Sequence, residues 1–437
     1  MLNTAIAVPL PQGLQAKLVL EKGKIIRILG PAKIYVESGC IRILGVDLCK
    51  GQEIWISKYR SYAVKAVDVS TLSVIIGEGG AVEEPSPGEE PIDEWENIAR
   101  EIVSRGGRVV VLGPIESGKT SFSTFLSNLG IENGLKTVLI DADVGQCDLA
   151  PPGFIAMKFM DRKVIWLREL VGDLIRFIGF ITPAYSLAMA RIITSVMELV
   201  NIAEEKGSQL IIINTDGWFG DLMSIEFKIQ LIRSVKPSSV VIMGNKILCE
   251  QLSNIFTKFS LPKVYCVSSP MHVRKRDRDD RRQLRRINYM QYLQKAKKRC
   301  FNINSIAILN SCLFNGTLIT DDLEQLRMKL GIEAIMASKY EDLLVVAVSD
   351  DTKVDRMQIG SDNVYIIKPS HAKGALVALL NENMEEVGMG IIESVDLLRK
   401  EICILTEYEG VVKGVSIGRI IVSEEYADKG KVMKCII

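Results

Sequence analysis

Only two histidines, His272 and His371, occur among the 437 residues, and none of the nine cysteines forms a C-x-x-C pair. A zinc cluster therefore lacks its usual ligands at their usual spacing, and a disulfide framework of the small secreted kind is not expected. The cysteines read instead as buried free thiols. No uninterrupted run of ~18 apolar residues appears, and the apolar start Met1–Pro9 has no basic stretch. No membrane partner is expected, and the chain reads as cytoplasmic, or nuclear in a eukaryotic source. Net charge is nearly missing too: 54 Lys and Arg against 53 Asp and Glu leave +1, which says nothing about partners. Its distribution is more informative, because twelve Lys and Arg face three Asp between Val273 and Arg299.

What is present is enough apolar sequence, 48% of the chain, for more than one core. From Lys17 to Ile76, short Val- and Ile-rich runs alternate with turn signals such as Glu21-Lys22-Gly23, Gly30-Pro31 and Lys50-Gly51, which predicts a small β-sandwich or barrel. Gly77–Glu94, with Pro85, Pro87 and Pro91, reads as a linker. In the centre, apolar strands (108–112, 137–140, 209–213, 239–243, 263–267) alternate with helical stretches (119–129, 184–205, 222–235, 247–259). This predicts an α/β domain with a mostly parallel sheet. After Asn302, short strands return. The expected division is a β-rich domain with linker over 1–90, an α/β domain over 91–301 and a second β-rich domain over 302–437.

Gly113-Pro114-Ile115-Glu116-Ser117-Gly118-Lys119-Thr120 follows the first central strand and opens a helix, which is the context required of a phosphate-binding P-loop. The two glycines let successive N–H groups turn toward phosphate at a helix N-terminus. Lys119 supplies a point charge for the β- and γ-phosphates, Thr120 a hydroxyl for Mg²⁺, and Ser121 completes the nucleotide cradle. ATP or GTP is the expected cofactor, with Mg²⁺. The next strand ends in Asp141-Ala142-Asp143. Asp143 is the candidate general base for a hydroxyl acceptor, and Asp141 supports the metal through water.

Asp141 to Gln146 followed by Pro151-Pro152-Gly153 resembles the D-x-D-x-G-Q…P-P-G signature of the polynucleotide 5′-hydroxyl kinase family, which includes the messenger-RNA cleavage-factor kinase, the pre-ribosomal-RNA processing kinase and archaeal relatives. Gly179-Phe180-Ile181-Thr182-Pro183 is similar to the clasp that holds the acceptor strand, and Asn214-Thr215-Asp216-Gly217-Trp218 to the N-T-x-G-W element. Arg276 and Arg281 resemble the paired lid arginines. The chain departs from many relatives at Ala184-Tyr185. The resemblance implies a kinase acting on RNA with a 5′-hydroxyl end, or on DNA, with Gln146, Thr182 and Trp218 on the acceptor, and with RNA-processing protein partners.

The residues carry physical readings of their own. Trp218 leaves a buried strand beyond Gly217, so its indole can stack on a splayed base. Arg274, Arg276, Arg278, Arg281, Arg282, Arg285 and Arg286 project around a helix, where guanidinium forks suit phosphoryl oxygens. Two other readings compete. A nucleotide-locked scaffold needs the same loop without turnover. A partitioning-type switch ATPase shares the I-D-A-D strand but carries a lysine where this chain has Pro114. A GTPase is disfavoured because Asn245-Lys246 is followed by Leu248 where an aspartate would read guanine.

Overall fold

The computed structural model describes residues 13–244, 246–260, 262–273, 276–319, 323–341, 343–353, 356–359, 362–429 and 436–437. Met1–Pro9, Arg274 and Asn245 lie outside them. The chain divides into two compact units. The first holds the chain up to Asp143 with Ala156–Asp173 and Met189–Asp280; the second holds Val144–Ile155, Leu174–Ala188 and Arg281–Ile437.

In the first unit, the N-terminal strands form two sheets. One runs Leu14–Leu20, Ser70–Ile76, Ala32–Ser38, Glu53–Ile56; the other Val46–Cys49, Cys40–Ile43, Ser61–Ala66, Ile25–Leu29, Ala81–Glu83. Alternation along Ser61–Ala66 buries Tyr62, Val64 and Ala66 against Ile28, Ile34 and Val74, the pattern of a sandwich filled from its two inner faces. The expected linker is docked. Ala81–Glu83 pairs with Ile25–Leu29, and the buried Arg27 guanidinium meets Glu83 at 2.9 Å and Glu90 at 2.5 Å.

The α/β part has five parallel strands in the order Thr137–Ala142, Leu210–Thr215, Gly107–Leu112, Ser239–Met243, Lys263–Val267. Ala156–Phe159 adds antiparallel pairing outside Val138–Asp141. The inner strands are apolar throughout because helices cover a parallel sheet on both faces. The helix Ser186–Glu205 is long and apolar, but Ile192, Val196, Leu199, Val200 and Ala203 are buried at helical spacing, which makes it a core helix.

In the second unit, Lys297–Asn302, Glu401–Thr406, Glu386–Asp396, Ala375–Leu380, Gly414–Ile421 and Ala307–Leu309 form a six-stranded sheet, and a five-stranded sheet runs from Thr317–Ile319 to Arg356–Ile359. Their shared core includes Val345, Ala347, Val377, Ile404 and Ile417.

The cysteine expectation is corrected. Cys40–Cys49, Cys249–Cys266 and Cys300–Cys403 are disulfides, and Cys147 is a buried thiol. Cys40 faces Cys49, and Cys300 faces Cys403, across antiparallel strand pairs. Their sequence separations of 9 and 103 residues give no local signal of this.

Candidate functional site

The P-loop lies at the carboxyl end of the central strand Gly107–Leu112, where open α/β sheets bind ligands. Its two glycines have distinct reasons. At Gly113, a Cβ would come within 2.6 Å of Ser117 Oγ and 2.8 Å of the Met243 carbonyl. Gly118 is left-handed (φ 91°) and packs on Trp95. Trp95 is fixed in turn by its indole N–H on the Ser268 carbonyl (2.9 Å) and by edge contact with Phe122. Lys119 begins the helix Lys119–Glu132 and donates to the Pro114 carbonyl at 2.8 Å. Burial lowers its ammonium pKa to about 8, against the pull of Asp143 and Asp216, while Lys228 pushes the same way as burial.

Asp141 is fully buried at the end of its strand, and Asp143 lies just past that end. The Asp141 carboxylate accepts from the Asp143 amide (3.3 Å) and from Asn214 Nδ2 (3.0 Å). Asn214 Nδ2 also reaches Thr120 Oγ1 at 3.3 Å, so one amide ties the two expected metal-supporting groups together. These are hard oxygen donors of the kind Mg²⁺ prefers, and the set fits that ion. Asn214 belongs to the N-T-x-G-W element, but nothing in the sequence gave it this linking place.

Trp218 follows the strand Leu210–Thr215 and is partly exposed, as expected of a residue that leaves the core. Its indole N–H bonds Asp221 Oδ2 at 3.0 Å. Gly217 presses this turn onto the phosphate loop: a Cβ there would stand 2.8 Å from Ile115 N and 2.9 Å from its Cα. The turn that carries Trp218 and the phosphate loop are thus in close contact at Gly217 and Ile115.

Arg276 is not on the helix, contrary to the expectation that the arginines all project from it. The Asp277 carboxylate accepts the Asp280 amide (2.7 Å), and the helix begins at Arg278. Arg276 lies ahead of it, with its amide on Glu116 Oε1 at 2.6 Å. A cavity of about 120 Å³ adjoins this point, lined by Glu116, Gly118, Ser121 and Arg276 and by Tyr59, Arg60 and Tyr62 of the sandwich. The composition of the sandwich gave no hint that it would border the phosphate loop.

Gln146, Thr182 and Arg281 belong to the second unit. Gln146 Nε2 lies 3.4 Å from the Arg281 carbonyl, so the structure brings these two together. Gly153 holds φ 91°, and a Cβ would meet Leu376 and Ile420 below 3 Å. Its carbonyl accepts the amides of Ile178 (3.0 Å) and Gly179 (2.9 Å), which joins the P-P-G turn to the Gly179–Pro183 segment. Thr182 is partly exposed, with its hydroxyl 3.4 Å from the Ala184 amide. Arg285 pairs with the buried Asp428 at 2.8 Å, and Arg286 Nε donates to the Glu425 carbonyl. For Arg285, the reading as a free phosphate-binding cation is therefore replaced by a packing role.

Comparison with known proteins agrees with this geometry. Residues 113–295 match the family model described as mRNA cleavage and polyadenylation factor CLP1 P-loop. A polyribonucleotide 5′-hydroxyl-kinase of Pyrococcus furiosus is 29% identical, over 77% of this chain and 94% of its own length. One of Methanocaldococcus jannaschii is 26% identical, over 74% and 89%. The solved wild-type Clp1p–Pcf11p complex shares the fold with a TM-score of 0.64 at 16% identity, over 94% of this chain and 98% of that one. Through its P-loop region and over most of its length, the chain is thus similar to the polynucleotide 5′-hydroxyl kinases and to the proteins that carry the CLP1 P-loop.

Proposed function

We propose that the protein is a polynucleotide 5′-hydroxyl kinase that transfers the γ-phosphoryl of ATP or GTP to the 5′-hydroxyl end of RNA. One observation carries the reading. The phosphate loop, the acidic strand end and an aromatic platform converge at the carboxyl end of one sheet, with Gly217 against Ile115. A nucleotide-binding switch needs the first two features; an aromatic residue carried on a turn that touches the loop suits a nucleic-acid acceptor.

In this reading, the loop amides and Lys119 bind the β- and γ-phosphates. The nucleoside extends toward the cavity beside Glu116 and Ser121. Thr120 and Asp141 would hold Mg²⁺, which would supply neutralisation of charge on the phosphate oxygens. Asp143 accepts the proton of the attacking hydroxyl. Trp218 stacks on the terminal base. Arg276 faces the transferring group from beside Glu116. Family resemblance assigns Arg281 to the lid and Gln146 and Thr182 to the acceptor strand. RNA-processing proteins are the expected partners, on the precedent of the Clp1p–Pcf11p complex.

The test is incubation of the purified protein with γ-labelled ATP or GTP and 5′-hydroxyl RNA or DNA oligonucleotides. Label on RNA, lost in Lys119→Ala, is the expected result. Bound nucleotide with no labelled oligonucleotide would instead make the chain a nucleotide-locked scaffold.

A further inference from the structure

Lys228 lies in the middle of the helix Leu222–Val235, where an exposed lysine would be unremarkable, yet its side chain is fully buried. Burying an ammonium is costly unless it is paired and hydrogen-bonded. Here, the ammonium bonds the Asp216 carboxylate and lies 3.5 Å from the Asp216 carbonyl, so it holds both ends of that residue. It also sits over the rings of Phe227 (4.7 Å) and Phe219 (5.5 Å). The other carboxylate oxygen of Asp216 accepts the Trp218 amide at 2.9 Å.

The same helix reaches Trp218 a second way. Its N-cap Asp221 accepts from Ser224 N with one oxygen (2.8 Å) and from the Trp218 indole with the other (3.0 Å). The indole lies 6.4 Å from Phe227, centroid to centroid. The chain from Asp216 to Lys228 is therefore a closed ring of contacts, and its turn rests on Ile115 of the phosphate loop at Gly217. Packing alone does not call for this. Two apolar residues of similar size would fill the space at equal or lower cost in free energy.

We infer that the Lys228–Asp216 pair is a positioning device for the acceptor, clamping the turn that carries Trp218 so that the base platform keeps a fixed distance from the phosphate loop. The inference rests on the kinase reading for its substrate. Neither residue touches the reacting atoms; both act through Trp218. Loss of the clamp acts on capture of the terminal nucleotide and leaves the nucleotide cradle intact.

The experiment uses the full chain with Lys228→Met and with the neutral pair Asp216→Asn/Lys228→Met, which keeps local net charge and an acceptor for the Trp218 amide. Measured are ATP affinity, KM and kcat for a 5′-hydroxyl RNA oligonucleotide, melting temperature, and the quench of tryptophan fluorescence on RNA binding that Trp218→Phe removes. In the neutral pair, KM for RNA should rise by about tenfold and the Trp218 quench should shrink, as for a displaced stacking platform. ATP affinity should stay within about twofold. Wild-type KM and quench in a folded neutral pair would overturn the inference. So would equal losses toward ATP and RNA, or a neutral pair that does not fold, which would assign the two residues to the core. If the wild-type protein binds RNA but labels none, the kinase reading fails, while the quench still reports on the clamp.

Discussion

Replacing Gly217 with alanine adds one methyl group between the turn that carries Trp218 and the phosphate loop and changes nothing else. Gly217 does not have a left-handed φ, so no backbone strain confuses the outcome. The added Cβ would lie 2.8 Å from Ile115 N, 2.9 Å from Ile115 Cα and 2.8 Å from Ile115 Cγ1. Carbon contacts are comfortable at ~3.5 Å or more, so the turn must retreat by roughly 0.6 Å. A shift approaching 1 Å between reacting groups can cost about 10²-fold in rate. Single-turnover phosphorylation of a 5′-hydroxyl RNA at saturating ATP should therefore slow by about 10-fold to 100-fold. Ile115→Ala should not rescue it, because two of the three close atoms are backbone. A Gly217→Ala protein with wild-type rate and KM would refute the contact between platform and loop as a catalytic constraint.

Asp143→Asn should abolish turnover while keeping nucleotide affinity, because an amide cannot accept the proton, whereas Asp141→Asn should raise the Mg²⁺ requirement; a magnesium titration of both variants would expose a reversed assignment. With the Lys119 pKa lowered to about 8 by burial, the ammonium is charged below that pH and neutral above it. Phosphate favours the charged form, so nucleotide binding should take up a proton and weaken as pH rises through 8 to 9; calorimetry in buffers of different ionisation heat reads this directly, and pH-independent affinity from 7 to 9.5 would refute it. Arg285→Ala should lower stability by about 3 kcal/mol because Asp428 stays buried without its cation; an unchanged melting temperature with a smaller salt slope for RNA binding would restore Arg285 to the RNA surface.

The parallel core was legible because its signals are local. Ser239–Met243 and Lys263–Val267 are short apolar runs with turns on both sides, and both strands have those bounds. The P-loop likewise joins a strand to a helix within a few residues. What escaped was decided by distant partners. Lys228 looks like a polar residue on an amphipathic helix, and only the strand end at Asp216 explains its burial. Cys40–Cys49 and Cys300–Cys403 pair by strand register, which spacing does not encode. The docking of the linker depended on Arg27, over fifty residues earlier. The start of the helix Arg278–Leu293 could have been found, since Asp277 and Asp280 form a capping pattern that leaves Arg276 outside.

The chain passes between its two units five times, at Asp143, Ile155, Asp173, Ala188 and Asp280. This sets the order in which a ribosome can complete them. The segment Val144–Ile155 emerges early, but what surrounds it is made much later: Asn288 and Tyr289, whose side chains bond the carbonyls of Cys147, Ala150 and Pro152, and then Leu376 and Ile420 around Gly153. During synthesis, this P-P-G stretch gains the Ile178 and Gly179 amides early, but must wait for Asn288 and Tyr289, and then more than two hundred residues for Leu376 and Ile420, before its surroundings are complete. Contacts so far apart in sequence form slowly and leave apolar chain exposed in the meantime. No single cut frees either unit as a continuous chain, so truncation at a domain boundary near residue 301 would strand that segment and yield an aggregating fragment in place of an isolated kinase core.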